Sequence, residues 1–582
     1  MARIVWMQIL AILPILGFLC CYTEGIVFGL GTLVLGGLLV LIGYRVLTHK
    51  PPLVLPFVVL LMGSFYLYSF WGLGSMHTPQ TAHILTTHQS ITVFDFASSV
   101  AVDKVCYYVG VDKNVKFSLE RQTAQGWKHF YSYDEDYPYS FRWRCVDTGF
   151  ESTKVLWRIT SNEMMLSEVH FSFEGMDIPY TSTKKYLNDE AELAIDTSYY
   201  SGMFFDEIYF ARTAYEFMYD ETVYENTHPY LGKVLILSGI KAFGMTPFGW
   251  RFMNVLFAGI LVFMAYYFAI QLFGTPLYGF VSGFLMTYSF MHLAQARMGL
   301  VDTFGVLFVV IAYYYLYVFI QKQRLGYLWL SAVFLGLGIG VKWSALFAVF
   351  GFVAIALYLL WIRYPLQKRF RGVRLLGYGF IAYGGLSFVV YILSFWELYS
   401  HTGTLQSIID YNLNMYHYHA SLEATHPYSS PWWSWMLDMK PMGYYKVLDD
   451  GVLSSINALG NPALFWLGIV AILYLCWVVI VPKSIEASVI LFGFMALYLP
   501  YMFVGRLLFI YHFYYALPFV LLGIVYMMRD SIERFAFMSR LWRGYLALVA
   551  LLFLGFYPVL SGYPIENSTM IAWLQWFDGW WF

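Results

Sequence analysis

The chain has 582 residues, 59% of them hydrophobic and only 12% charged, an apolar excess that excludes an ordinary water-soluble domain. Its 35 Lys and Arg nearly cancel its 36 Asp and Glu, so no net field recruits nucleic acid, and the placement of charge carries the information. Five cysteines are too few for a disulfide framework: Cys20, Cys21 and Cys476 fall in apolar runs as packed thiols, and only Cys106 and Cys145 lie in polar sequence.

Apolar stretches of about 20 residues, the length that crosses a bilayer, predict helices near 5-22, 25-44, 54-73, 250-272, 277-295, 303-321, 326-341, 344-362, 374-396, 462-481, 486-504, 507-527 and 544-561. These thirteen spans define a polytopic α-helical membrane protein. The first lacks a small-residue cleavage site, so it reads as a retained helix rather than a signal peptide, and residues 1-50 hold two extra helices before a first core helix at 54-73. Short loops carry the basic residues: Arg3; Arg45 and Lys50; Lys322 and Arg324; Arg363, Lys368, Arg369, Arg371 and Arg374; Lys483; and Arg529, Arg534, Arg540 and Arg543. With those loops cytoplasmic the spans alternate without conflict, and 75-247, 398-461 and 562-582 lie outside the cytoplasm.

Residues 77-195 break the hydropathy pattern with short alternating runs such as Val105 to Val109, Phe141 to Val146 and Val155 to Ile159, which predict an extracytoplasmic β-domain. The order of its pieces, Cys106-Tyr-Tyr-Val-Gly, a Gln-Gly-Trp127 turn, Phe141-Arg-Trp143 and Val155-Leu-Trp-Arg-Ile159, resembles a galactose-binding-like jelly roll, a β-sandwich. It reads equally as a carbohydrate- or acceptor-binding module and as a rigid cap on the membrane domain. Cys106 and Cys145 form a disulfide in an oxidising compartment or remain two buried thiols.

Ionisable groups within a membrane protein are costly unless they work or pair. Here Asp206, Glu207, Arg251, Arg297, Asp302, Lys342, Glu397 and Arg506 all fall near the extracytoplasmic ends of spans. A transporter or sugar-sensing receptor would place such groups near the midplane between repeated halves, and no repeat is visible. An interfacial active site fits better.

The sharpest motif is Phe205-Asp206-Glu207-Ile208-Tyr209-Phe210, followed by Thr227-His228-Pro229-Tyr230-Leu231-Gly232-Lys233. With Gln295-Ala-Arg297 and Asp302, Gly338-Ile-Gly-Val-Lys342, Tyr416-His417, His426-Pro-Tyr-Ser429, Trp432-Trp433-Ser-Trp435, Gly460-Asn461-Pro462 and Arg506 with Tyr511-His512, it resembles the protein O-mannosyltransferase family in order and spacing over 204-530. The resemblance implies a GT-C fold and inverting transfer of a sugar, mannose, from a polyprenyl phosphate carrier to Ser or Thr hydroxyls of exported proteins, at the extracytoplasmic face of the cell membrane. Tyr230 stands where the family has a second proline, the β-domain is additional to the family core, and 398-461 is too short for the β-trefoil of eukaryotic members, which points to a prokaryotic-type chain. Residues 196-582 then form the transferase core, with external catalytic loops 196-247 and 398-461. A relative that modifies a lipid or polysaccharide is the nearest alternative, and a transporter or sensor the next.

Such a reaction needs a base for the acceptor hydroxyl and cations for the departing phosphate. Asp206 is the expected base, with Glu207 orienting the loop. Arg251, Arg297, Lys342 and Arg506 are the candidate phosphate clamp, although not all can touch it. Asp302 is expected to pair with Arg297, five positions earlier. His228, Lys233, His417, His426, Trp432, Trp433 and His512 are expected around the substrates, the tryptophans serving either sugar contact or an interfacial belt. No two histidines have His-x-x-x-His spacing, so the reading is no cofactor, with a divalent ion as the weaker alternative.

Overall fold

A computed structural model describes residues 54–87, 91–134, 139–363 and 376–582. The two helices expected in 1-50 and most of the basic loop around 363-374 lie outside the described residues. In chain order the helices are α1 (Val54–Phe70), α2 (Glu207–Met218), α3 (Leu231–Phe243), α4 (Pro247–Phe273), α5 (Pro276–Thr287), α6 (Phe290–Ala296), α7 (Asp302–Lys322), α8 (Leu325–Val341), α9 (Ala348–Arg363), α10 (Leu376–Leu393), α11 (Trp396–Thr402), α12 (Leu405–Ser421), α13 (Pro462–Ile480), α14 (Ile485–Tyr498), α15 (Leu517–Arg534), α16 (Met538–Ser561) and α17 (Asn567–Trp573).

Lipid offers no hydrogen bonds, so apolar spans satisfy their backbones as helices. Among the described residues seven helical stretches are long and apolar enough to cross a membrane, and α1 and α8 are shorter apolar helices. Outward-facing Phe380, Leu473, Leu551 and Leu554, each at least 65% exposed, form part of an apolar exterior that water would not tolerate. The chain is a polytopic helical membrane protein. At its centre lies α7, buried from Asp302 through Ile320 and apolar all round.

Two expected spans depart from continuous helices. The stretch 277-295 breaks between α5 and α6 at Tyr288-Ser289, and the Asn461 side chain donates to the Tyr288 carbonyl at 3.3 Å. The stretch 507-527 opens as a 3₁₀ helix, Ile510–Tyr515, before α15 begins. Both breaks are buried in protein, where other groups satisfy the freed backbone.

Between α1 and α2 lies an antiparallel sheet of β1 (His83–Thr86), β2 (Ile91–Asp112), β3 (Lys116–Thr123), β4 (Gly126–Tyr133), β5 (Arg142–Ser161) and β6 (Glu163–Phe173), in the order β1-β6-β2-β5-β3-β4, with short β7 (Met176–Asp177) and β8 (Thr181–Ser182) at its margins. It is one hydrogen-bonded sheet rather than the two separate sheets of the expected jelly-roll sandwich. The reason lies in its long strands. Register breaks at Asp95/Val100 and Val102/Lys104 interrupt β2, and across them the residues facing the sheet's own core change from Phe94 and Phe96 to Val105, Tyr107 and Val109. The alternate residues Cys106 and Tyr108, with Phe141 and Trp143, join the core of the helical domain. One face of the sheet therefore serves its own core while the other packs on the membrane protein.

Cys106 lies opposite Cys145 in the β2–β5 ladder, and the two form a disulfide. The bond closes a loop of 39 residues. Replacing both with Ser is expected to cost the chain about 2–4 kcal/mol, read as a lower melting temperature in detergent. Thiol labelling of the denatured, unreduced protein should find neither cysteine reactive.

The loop 398-461, too short for a β-trefoil, carries a hairpin, β9 (Met442–Asp449) and β10 (Val452–Ala458), extended by β11 (Ile565–Glu566). Asp450 and Gly451 turn it with φ of 44° and 78°, the pair of positive values that an Asp-Gly turn accommodates.

Candidate active site

Asp206 caps the N-terminus of α2, immediately after Phe205, whose φ of 53° places a bulky residue in the left-handed region. Strain of this kind persists only where surroundings over-determine it. Here the Phe205 ring stacks on Tyr444 of β9 at 4.5 Å and meets Tyr511 edge-on at 6.0 Å. The Asp206 carboxylate makes no capping hydrogen bond, so it is not the ordinary acidic helix cap that its position suggests. It remains partly accessible, and its pKa is raised to about 7: burial is the main cause, Lys342 opposes it, and Asp302 and Glu225 add to it.

Glu207 is fully buried and has a different task. Arg251 meets it in a two-point ion pair, Nε to Oε1 at 2.6 Å and Nη2 to Oε2 at 2.7 Å. Oε1 also accepts the Gly299 N–H at 2.7 Å, and Oε2 that of Phe204 at 3.1 Å. The remaining Arg251 protons reach the carbonyls of Leu73 (2.9 Å), Tyr199 (2.7 Å) and Gly202 (2.9 Å). Arg251 is therefore not part of a phosphate clamp, because none of its donors is left. Arg297 is corrected too, because both its Nη groups are committed to the carbonyls of Ser69, Trp71, Gly72 and Ser561 at 2.7–3.0 Å, closing the C-terminal end of α1, and the remaining Nε is buried. Asp302 pairs not with Arg297 but with Lys342, at 2.9 and 3.1 Å. Lys342 ends α8, where its ammonium also lies 5.4 Å from the centre of the Tyr511 ring.

A third ion pair joins Glu225 to Lys233. The buried ammonium contacts Glu225 Oε2, the Glu225 carbonyl at 2.8 Å and the Tyr411 hydroxyl at 3.0 Å, three acceptors for three protons. Lys233 thus fastens the 225–228 segment and has no proton to offer a substrate. Glu225 Oε1 contacts His228 Nδ1 at 3.0 Å. Burial pushes the pKa of His228 down, with the Glu225 carboxylate opposing it.

His419, absent from the expected set, is a central residue of the cluster. Its Nε2 contacts the Thr227 carbonyl at 2.9 Å and its Nδ1 meets Arg506 Nη1 at 3.0 Å. A carbonyl can only accept, so the proton sits on Nε2 and Nδ1 accepts from the guanidinium. Burial first, then Arg506, holds its pKa down to about 4, consistent with this neutral tautomer. His417, expected instead, points outward from α12. The signal was helical: Ile408, Tyr411, Met415 and His419 share one face, and His417 lies about 200° round from His419. Tyr444 was also missed; its Asp-Gly hairpin turn was the available cue.

The other expected contacts disperse. His512 is buried, Nδ1 bound to the Phe509 backbone and its ring stacked over Trp435 at 6.0 Å, so it packs the loop. His426 receives the Tyr428 N–H at 3.2 Å and lies against Phe509. Trp432 packs on Tyr498 at 5.4 Å, while Trp433 is exposed.

With this geometry in view, comparison with known proteins decides the family. Residues 227–395 match the family described as dolichyl-phosphate-mannose-protein mannosyltransferase, and residues 404–580 match the C-terminal four-transmembrane region of protein O-mannosyltransferase. Together the two matches span more than half of the chain. It belongs to the protein O-mannosyltransferase family. Polyprenol-phosphate-mannose–protein mannosyltransferases of Mycobacterium tuberculosis and Corynebacterium glutamicum are each 27% identical, over 63% and 61% of this chain and 84% and 81% of their own lengths. The yeast Pmt1–Pmt2 complex, solved with its sugar donor, shares the fold: TM-score 0.57, 12% identity, 65% of this chain and 89% of that one. As a protein O-mannosyltransferase, the chain is an enzyme.

Removing one side of the Glu207–Arg251 pair leaves the other charge buried and unmatched. Glu207→Gln is therefore expected to destabilise this mannosyltransferase by about 3–5 kcal/mol. The loss should register in thermal unfolding whether or not donor is present, which separates it from a purely catalytic defect.

Proposed function

We propose that the protein transfers mannose from a polyprenyl phosphate carrier to Ser or Thr hydroxyls of exported proteins, with Asp206 as base and inversion at the anomeric carbon. One observation carries the assignment of roles. Around the Phe205–Asp206 turn, Lys342 is matched by Asp302 and Lys233 by Glu225, which leaves Asp206 and Arg506 as charges of opposite sign without an ionic partner among the described residues. That is the polarity the reaction requires.

Asp206 takes the acceptor's hydroxyl proton as the oxygen attacks C1 of mannose, and the C1–O bond to phosphate breaks on the opposite face. Arg506, held by neutral His419, receives the departing phosphate, and Lys342 supplies further positive potential while remaining paired with Asp302. His228 braces the loop that carries His419's carbonyl partner. The extracytoplasmic location of this chemistry is supported by the Cys106–Cys145 disulfide, since such bonds persist in oxidising compartments. No step above calls on a metal or cofactor.

The decisive assay supplies purified protein with polyprenyl phosphate-[14C]mannose and a Ser/Thr-rich peptide. Label should enter the peptide; label in a lipid or polysaccharide fraction alone would reassign the acceptor. Asp206→Asn should lower turnover at least about a hundredfold without lowering the melting temperature. A base works only when ionised, so kcat/KM should fall as pH drops through about 7, the value to which burial raises Asp206. Undiminished activity at pH 5 would remove Asp206 from that role. Arg506→Ala should cost about a hundredfold in kcat, and Arg506→Lys should recover part of it, measured with the same donor.

A further inference from the structure

In the sheet domain, outside the cluster around Asp206, three carboxylates converge: one ligand oxygen from each of Glu168, Asp189 and Glu190 lies within 4.8 Å of the others. Acidic clusters are common on surfaces. This one differs in what is buried beneath it. Glu168 is fully buried, and its Oε1 accepts the N–H groups of Asp189 and Glu190 at 3.0 and 2.8 Å, while its Oε2 has no hydrogen-bond partner. His170, 5% exposed, aims an equally unpartnered Nε2 at that oxygen from 4.0 Å.

The gap is too long for a hydrogen bond, and it is close to twice a metal–ligand bond of about 2 Å. Behind the ring, His170 Nδ1 faces Asp177 Oδ1 at 3.6 Å. A carboxylate in that position favours the proton on Nδ1 and leaves the Nε2 lone pair free, as in carboxylate–imidazole–metal arrangements. Strand alternation delivers both groups together: Glu168 and His170 are two residues apart on β6, on the face opposite Val169 and Phe171, which fill the sheet's own core.

We propose that Glu168, Asp189, Glu190 and His170 bind one divalent transition-metal ion, Zn²⁺ or Mn²⁺, that fastens the neck of the sheet domain. An imidazole among carboxylates suits these ions better than Ca²⁺ or Mg²⁺, which prefer oxygen throughout. The neck is where the position gains its meaning. Glu190 Oε2 accepts the N–H groups of Gln80 and Thr81 at 2.8 and 3.0 Å, and the Thr81 hydroxyl lies 2.9 Å from both Glu190 Oε2 and Asp189 Oδ2. One ion there ties the segment leading into the domain, the segment leading out of it toward Asp206, and strand β6.

The full-length protein in detergent, stripped with EDTA and dialysed, is titrated calorimetrically with Zn²⁺, Mn²⁺ and, as control, Ca²⁺. One equivalent of Zn²⁺ or Mn²⁺ should bind, with affinity lowered at least about tenfold in both Glu168→Gln and His170→Ala and weaker binding of Ca²⁺. In the wild type, the ion should slow proteolytic cleavage within residues 183–198, a readout that does not depend on how the variants fold. Absence of saturable binding to the wild type, or unchanged affinity in both variants, would overturn the site and leave Glu168 and His170 as a metal-free buried pair.

Discussion

Arg251 and its partner Glu207 draw three other pieces of chain to one buried point beside α4: the residues around Leu73, the segment from Tyr199 to Glu207, and Gly299. The end of α1 contributes the Leu73 carbonyl, the segment after the sheet domain those of Tyr199 and Gly202, and the start of α2 the Glu207 carboxylate, which in turn holds the Gly299 amide between α6 and α7. A charged pair with no exposed surface costs several kcal/mol per ion to desolvate unless every donor and acceptor is answered. Here they are. Asp206 is the next residue along, so the position of the proposed base is set by a network in which it takes no part.

The same rule sorts the remaining charges by what surrounds them. The Lys233 ammonium and the two Nη groups of Arg297 lie beside backbone carbonyls or a carboxylate that accept their protons, and their work is to hold chain segments. Arg506 and Asp206 lie in irregular backbone, where neighbouring elements supply rings and a neutral imidazole instead of opposite charge. Sequence distance does not reveal this difference. An arginine near the end of a span looks the same whether backbone carbonyls or a neutral imidazole meet its donors.

Much of the fold was legible because hydropathy is a local property: the spans, the polar insert and the Asp-Glu loop all follow from runs of neighbouring residues. What was not legible depended on partners far along the chain. The Asp302–Lys342 pair spans 40 positions and Arg251–Glu207 spans 44, and nothing in either local sequence distinguishes a partnered cation from a free one. Pattern was misread in two other places. His417 stands among the expected contacts although the helical phase of α12 turns His419 inward, and the Asp450-Gly451 turn announces a hairpin that the sequence reading leaves out. In the sheet, the bulges in β2 reverse the inward parity midway, which defeats any reading that assumes uniform alternation.

The Arg297 contact with the end of α1 also bears on how the chain is made. The carbonyl of Gly72 waits for a guanidinium 225 residues downstream, which at ribosomal rates of about 5–20 residues per second is roughly ten to forty-five seconds. Ser561, whose carbonyl shares that guanidinium, emerges 264 residues later still. During biogenesis the whole intervening sheet domain is therefore synthesised before the guanidinium that caps the end of the first described helix exists. The full set of carbonyls around Arg297 therefore exists only once α16 has been made.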